Sequence, residues 1–332
     1  MGHNYRGCAI NLTQPVLLLF KNFKRNIMAK HNLFREFSDV YNYHLRWNKE
    51  HAMHDYKNVY KKALYELQKF GLSKMTGKEV LDLGCGCRFP FSLAAASEGA
   101  DVTALDLSYV KPDPAPIYFW NLVRYNGLKR AFKSMFRRVL FDKNYFKHLY
   151  DTAGSSLKPF VKKIQFIISD PHGTSYPLPN NTYDLVASNA VLEHVGDVKQ
   201  YFMEVKRLLK QNGLFYGRIH NYYSISGGHF LEWSAPDVNP SLKVPPWDHL
   251  RKNLFPTHIY LNKLQPADYK QGAEDAGLEV LLFDGRDVNH DPNGKEGEKF
   301  LTTEVQEELS QYPKDLLLTR AYCIICRKKK EI

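Results

Sequence analysis

Two sets of side chains in this sequence have the types and spacing to do chemistry. In the first, short apolar runs end on acids. Val80–Leu83 contains Asp82 and is closed by Gly84 and Gly86, Val102–Leu105 ends on Asp106, and Ile164–Ser169 ends on Asp170. Glycines at a strand end permit a tight turn and a close ligand approach. A dinucleotide fingerprint would need a third small residue, but Phe89 stands there. An acid inside the turn is also poorly matched to a pyrophosphate and better matched to a cationic ligand. The second set is histidine-rich. His194, His220, His229 and His249 lie within or near segments dense in Tyr, Trp and Asp. Imidazoles titrate near neutral pH and can take a proton from a hydroxyl.

The elements that must position these residues follow from patterning. Val80–Leu83, a helix over Phe91–Ser97 stopped by Gly99, and Val102–Leu105 make one βαβ unit, with its ligand site at the carboxyl ends of the strands. Further strands are expected at Ile164–Ser169, Leu185–Ser188, Leu214–Ile219, Leu278–Phe283 and Ala321–Cys326. Val198–Leu209 carries an apolar stripe of helical period, with Asn212-Gly213 expected to stop it, and Pro266–Ala276 is a second such helix before Gly277. Residues 284–302 look like a loop and Val305–Leu309 a short helix.

These motifs resemble the class I S-adenosylmethionine-dependent methyltransferases. Their D-x-G-x-G-x-G motif is matched by Asp82, Gly84 and Gly86, with Cys85 between the glycines and Arg88 in place of the last glycine. The stretch Tyr176-Pro-Leu-Pro-Asn-Asn-Thr-Tyr-Asp-Leu-Val-Ala-Ser-Asn189, followed by Ala-Val-Leu-Glu-His194, is similar to the family's donor-lining region. The resemblance covers 78–108, 164–283 and the last strand. It implies S-adenosylmethionine as cofactor and S-adenosylhomocysteine as product. It places Asp82, Gly84, Cys85 and Gly86 at the donor loop, Asp106 and Leu107 at the ribose, Asp170 and Pro171 at the adenine, and Asn189 along the donor. The fold it implies is α/β, a Rossmann-like doubly wound seven-stranded sheet with the last strand antiparallel. Helices before the first strand commonly cap the ligand mouth in this family, so 1–77 is read as a helical extension to a 78–332 catalytic domain.

Composition adds limits. At 332 residues with 44% apolar content the chain can bury a sizeable core. No apolar run approaches the roughly 20 residues that span a bilayer. Val16–Phe20 is followed, not preceded, by Lys21, Lys24 and Arg25, the wrong order for a secretory signal. Cys323 and Cys326 sit three apart on an expected strand and so on opposite faces, which does not suit a metal or redox pair. A cytoplasmic enzyme is the simplest expectation. The net charge of +11 is uneven: residues 1–78 carry 14 Lys or Arg against 5 acids and residues 118–163 carry 11 against 2, leaving the remainder net negative. This favours an anionic surface or substrate without requiring nucleic acid. Residues 16–35 read either as a membrane-surface helix or as a helix packed on the core. The 57 residues between Asp106 and Ile164 exceed a usual crossover, so 110–163 reads as a basic helical insertion, either a lid or substrate platform or a solvated helix pair.

The acceptor is expected at 220–262, which starts where the fifth strand ends. Tyr222, Tyr223, Trp233 and Trp247 could wall a sugar or other flat acceptor, with Asp248 and Arg251 either holding its polar groups or pairing with each other at the surface, and with His249 as a further acceptor contact or base. His220 is the first candidate for a base, His194 is its rival with Glu193 to orient it, and His229 is a third. Each could equally be a structural histidine bonded to backbone. His229, Asp248 and His249 match no metal motif, and no metal is expected. The expected reaction is O-methylation of a small molecule or saccharide, free or lipid-linked. N- or C-methylation of a small metabolite, or a non-catalytic binding subunit, are the alternatives.

Overall fold

A computed structural model describes residues 47–169, 175–257, 259–286 and 295–329. Residues 16–35, Asp170 and Pro171 lie outside the described residues. Asn48 to Ile332 make up one compact unit.

The chain enters through a helix, α1, over residues 47–68, whose middle, Asp55–Lys61, is wound as a π-helix. β1 (Glu79–Leu83), α2 (Pro90–Ser97) and β2 (Asp101–Asp106) follow. The insertion then supplies three helices, α3 (Ala115–Asn126), α4 (Leu128–Arg137) and α5 (Lys143–Ala153). β3 (Ile164–Ile168), β4 (Tyr183–Asn189), α6 (Val198–Leu208) and β5 (Leu209–His220) restore the alternation. α7 (Pro266–Asp275), β6 (Leu278–Arg286), α8 (Thr303–Glu308), α9 (Lys314–Leu318) and β7 (Ala321–Lys328) complete the described chain.

The seven strands form one sheet in the order β3-β2-β1-β4-β5-β7-β6. β7 runs antiparallel between β5 and β6, and the other pairings are parallel. Order reverses at β1, with β2 on one side and β4 on the other, which puts a ligand crevice at the carboxyl ends of β1, β2 and β4.

Two apolar layers cover the sheet. One includes Tyr60, Leu67, Val80, Phe91, Ala104 and Cys323, and the other Leu81, Val186, Phe202, Val205, Ile219 and Cys326. The two cysteines thus fall in different layers, as strand alternation requires. Val59, Tyr60, Ala63 and Leu67 place α1 in the first layer, with the Tyr60 ring edge-on to Phe91 at 5.2 Å between centroids. α1 is therefore part of the body's core.

Asn212-Gly213 does not stop α6. The helix ends at Leu208, and β5 begins at once with Leu209. Tyr183 pairs with Leu209 but Leu185 pairs with Leu214, so Asn212, at φ +63°, sits in a bulge inside the strand. The expected loop at 284–302 also starts late, since β6 runs on to Arg286.

Candidate active site

The turn after β1 is built by two glycines with different tasks. Gly84 has φ +80°, and a Cβ there would lie 2.3 Å from Val191 Cγ2, so both backbone and neighbour demand glycine. Gly86 has φ +68°, yet a Cβ there would meet nothing within 4 Å, so space opens above it. The amides of Gly84 and Cys85 donate to the Leu105 carbonyl at 2.8 and 3.1 Å, which ties the turn to β2. Asp106, at the β2 tip, accepts from the Gly86 amide at 2.8 Å through Oδ2 and from the Ser108 amide at 2.8 Å through Oδ1. Leu107 beside it is 45% exposed. Across the crevice at the β4 tip, Asn189 has a buried side-chain oxygen with no partner.

Asp82 departs from expectation. Its carboxylate turns into the protein and accepts from the Ser92 amide at 3.1 Å and the Ser92 hydroxyl at 2.6 Å. It clamps β1 to the first turns of α2, where a helix dipole favours negative charge. Burial raises its pKa to about 7, against the Ser92 hydrogen bonds. Asp82 therefore does not face the crevice. The Cys85 side chain is likewise buried in the first apolar layer, which leaves only its backbone at the turn. Arg88, where the motif's last glycine would stand, points away from the turn. It donates to Asp142 Oδ1 at 2.8 Å and to Asn48 Oδ1 at 3.3 Å, and its guanidinium lies 4.2 Å from the Tyr145 ring centre.

The three candidate bases meet. His220 is the last residue of β5, His194 lies in the turn after β4, and His229 sits at φ +55° in the following loop. The His220 and His229 rings are 4.7 Å apart and the His229 and His194 rings 5.0 Å, making a file of three imidazoles. His194 is anchored at one end, its Nδ1 2.8 Å from the Tyr260 carbonyl. At the other end His220 Nε2 lies 2.9 Å from Ser226 Oγ, which donates at 2.6 Å to Glu296, itself paired with Arg320. Because the serine proton is committed to Glu296, Ser226 accepts from His220, which assigns His220 the Nε2–H tautomer and makes Nδ1 the acceptor nitrogen.

Glu193, which patterning offered only as a partner of His194, is the residue the sequence did not place. It is 1% exposed, neither carboxyl oxygen has a side-chain hydrogen-bond partner, and burial raises its pKa to about 8 against the opposing pull of the Glu193 and His220 backbone amides. One oxygen and one nitrogen each of His220 and His229 lie within 4.8 Å of one another. Burial also lowers His220 well below the usual imidazole range and His229 to about 4, so both are neutral at pH 7. The three groups have the types to ligate a metal ion. The positive charges of Arg320 and Arg218 that help lower His220 would oppose a cation there. No motif spacing marks this cluster, because its members come from three separate segments.

The expected acceptor walls divide. Tyr222 is partly buried and lies edge-on to His249 at 5.2 Å, and the His249 Nε2 is 2.8 Å from the Tyr222 carbonyl. Tyr223 is buried and donates to the Lys263 carbonyl. Trp233 and Trp247 are not available to stack on a ligand. They are 1% and 0% exposed, donate to the Val244 and Tyr223 carbonyls, and pack with Ile225, Leu301 and Leu317 in a small core under the segment. Arg251 is also committed elsewhere, forming a two-pronged pair with Glu308 at 2.6 Å on each arm. Asp248 caps the Leu254 and Phe255 amides and does not pair with Arg251.

A family model for the methyltransferase domain matches residues 52–282, from α1 into β6. The chain belongs to the S-adenosylmethionine-dependent methyltransferases. It is an enzyme of that class and uses S-adenosylmethionine as methyl donor. Among solved structures, a candidate S-adenosylmethionine-dependent methyltransferase from Listeria monocytogenes is 15% identical, with 81% of this chain and 98% of that one covered at a TM-score of 0.45. An S-adenosylmethionine-dependent methyltransferase from Mesorhizobium loti is 17% identical, with 80% and 97% covered at a TM-score of 0.43. No curated protein sequence matches the chain. Among the described residues, no helix of the methyltransferase is long and apolar enough to cross a membrane.

Proposed function

We propose that this methyltransferase transfers the donor's methyl group to a hydroxyl of a small molecule or saccharide, free or carried on a lipid, with the hydroxyl proton leaving into the Glu193–His220–His229 cluster. The observation that carries the reading is that cluster: two neutral imidazoles and a buried carboxyl with no side-chain hydrogen-bond partner, brought together where β5 ends.

The crevice fits the donor. Asp106 presents its carboxylate at the β2 tip, beside the Gly86 turn, where ribose hydroxyls would lie, the space over Gly86 admits a close approach, and the orphan oxygen of Asn189 can accept from an ammonium. Leu107 supplies apolar surface beside them. When bound, the donor supplies an electrophilic methyl carbon on a sulfonium, so the chain needs no nucleophile of its own. Its residues align the acceptor and take up one proton. Nδ1 of His220 accepts that proton, and the Glu193 carboxylate, once ionised, compensates the imidazolium charge. Ser226, held by Glu296 and Arg320, fixes the ring and its tautomer. Tyr222 and His249 line the neighbouring segment and are the side chains offered for acceptor contacts.

The test uses donor carrying a carbon-13 methyl, incubated with small-molecule and glycolipid extracts. A labelled methyl ether is the expected product by NMR. A labelled N-methyl or C-methyl product would overturn the oxygen assignment. A chelator should leave product formation unchanged. Loss that a divalent ion restores would replace the imidazole base with a metal-held alkoxide on the same three side chains.

A further inference from the structure

The insertion helices carry a surface that the methyl-transfer site does not use. From Pro114 to Phe141, 28 residues, there is no Asp or Glu, while Arg124, Lys129, Arg130, Lys133, Arg137 and Arg138 fall within it. Arg137 and Arg138 are tied down, to Asp142 and to the Asp113 carbonyl. The other four are exposed and make no ion pair with any described residue.

The apolar residues divide by face. Tyr118, Leu122 and Ala131 are buried with Tyr109 in a small cluster that satisfies the inner side of α3 and α4. On the outer side Ile117 is 55% exposed, Trp120 69%, Leu128 55% and Val139 68%. Ile117, Trp120 and Arg124 are spaced i, i+3, i+7 and so share one stripe of α3, which points a tryptophan and a cation outward together. Burying a tryptophan and three aliphatic side chains that stand in water would stabilise a docked state.

We propose that α3, α4 and the turn after them dock on an anionic lipid bilayer. The charge pattern selects this occupant. A second copy would bring the same unpaired cations face to face, at a repulsive cost. A neutral apolar partner would leave the four cations without counter-charge. An anionic bilayer offers headgroup phosphates to Arg124, Lys129, Arg130 and Lys133, and an interface in which a tryptophan ring is favoured. Each such cation adds to the attraction toward an anionic leaflet, which salt screens. The inference does not depend on which atom is methylated.

The test is flotation of the full chain with vesicles of phosphatidylcholine alone and of phosphatidylcholine with phosphatidylglycerol, together with quenching of tryptophan emission by bromine-labelled acyl chains. Binding should be at least about tenfold tighter to the anionic vesicles and weaken with salt. Quenching should occur and should fall in Trp120→Phe. The double variant Trp120→Ser with Val139→Ser should lose about tenfold in binding with its melting temperature unchanged, and Lys129→Glu with Lys133→Glu should lose the preference for anionic vesicles. No binding, equal binding to neutral vesicles, or wild-type binding by the serine variant would overturn the proposal. Concentration-dependent self-association abolished by the serine variant would also overturn it, assigning the face to a second copy.

Discussion

Asp106 accepts from the backbone amides of Gly86 and Ser108 at the tip of β2. A hydrogen bond to a charged group is worth about 1.5–3 kcal/mol, so Asp106→Ala should weaken donor binding by roughly 10- to 100-fold. Calorimetric titration with S-adenosylmethionine measures this, and unchanged affinity would remove Asp106 from the donor site. The sequence marks such residues well when the chemistry lies in a local motif: the acid at a strand tip and the glycines before it are neighbours in the chain. It marks direction poorly. Asp82 and Asp106 look alike as acids near strand ends, but pleating sends them different ways, and Asp82 goes to Ser92. Trp233 and Trp247 look like acceptor walls because polar residues surround them, yet the apolar partners that bury them, Leu301 and Leu317, come from a distant segment. Glu193 is visible only after folding, when its neighbours turn out to be His220 and His229 and not the adjacent His194.

Besides apolar packing, a buried ion pair joins the insertion to the body. Arg88 comes from the donor turn and Asp142 from the π-wound turn between α4 and α5, with side-chain exposures of 13% and 8%. Arg137 also reaches Asp142, and Tyr145 of α5 donates to Asp55 in α1 at 2.5 Å. Removing one partner of such a pair leaves a buried charge uncompensated. Asp142→Ala should therefore cost about 3–5 kcal/mol by chemical denaturation, with protease cleavage appearing first between α3 and α5. A loss below about 0.5 kcal/mol, the size typical of a surface change, would show that the pin is not structural. At this scale the sequence was informative about existence and less so about edges. Seven strands and the helical insertion follow from periodicity and from the 57-residue gap after Asp106, while the reversal of the last strand was implied only by the family resemblance. The bulge at Asn212 was hidden because Asn-Gly commonly ends a helix, and only pairing with β4 shows that the strand had already begun. The role of Arg88 was hidden for a similar reason, since its partners lie on α1 and the insertion.

Across the whole molecule, buried titratable groups set a pH window. Burial raises Asp55 to about 6, Asp82 to about 7 and Glu193 to about 8, so each contributes stability that is complete below the ordinary carboxyl range and lost as pH rises through those values. His51, His229 and His249 are lowered to about 4, so their contribution is complete above about 6.5 and lost as pH falls through 4. Above about pH 6.5 the acids alone act. The ligand-free unfolding free energy should therefore fall as pH rises toward 8, at up to about 1.4 kcal/mol per pH unit for each proton released, and the melting temperature with it. Asp82→Asn should flatten that slope, and a melting temperature that stays level or rises would contradict the burial of these acids. The uneven charge was legible from the sequence, but its meaning depends on exposure, because only the fold shows which cations of the insertion are tied and which stand free. The most direct test of the central claim is the pH dependence of methyl transfer to the acceptor found by labelling, in the wild type and in Glu193→Gln. The wild-type rate should climb through neutral pH and level off above about 8, where Glu193 is ionised. The Gln variant should lose that climb and run roughly 100-fold slower at unchanged donor affinity, whereas the same profile and rate in both proteins would contradict the proton-accepting cluster.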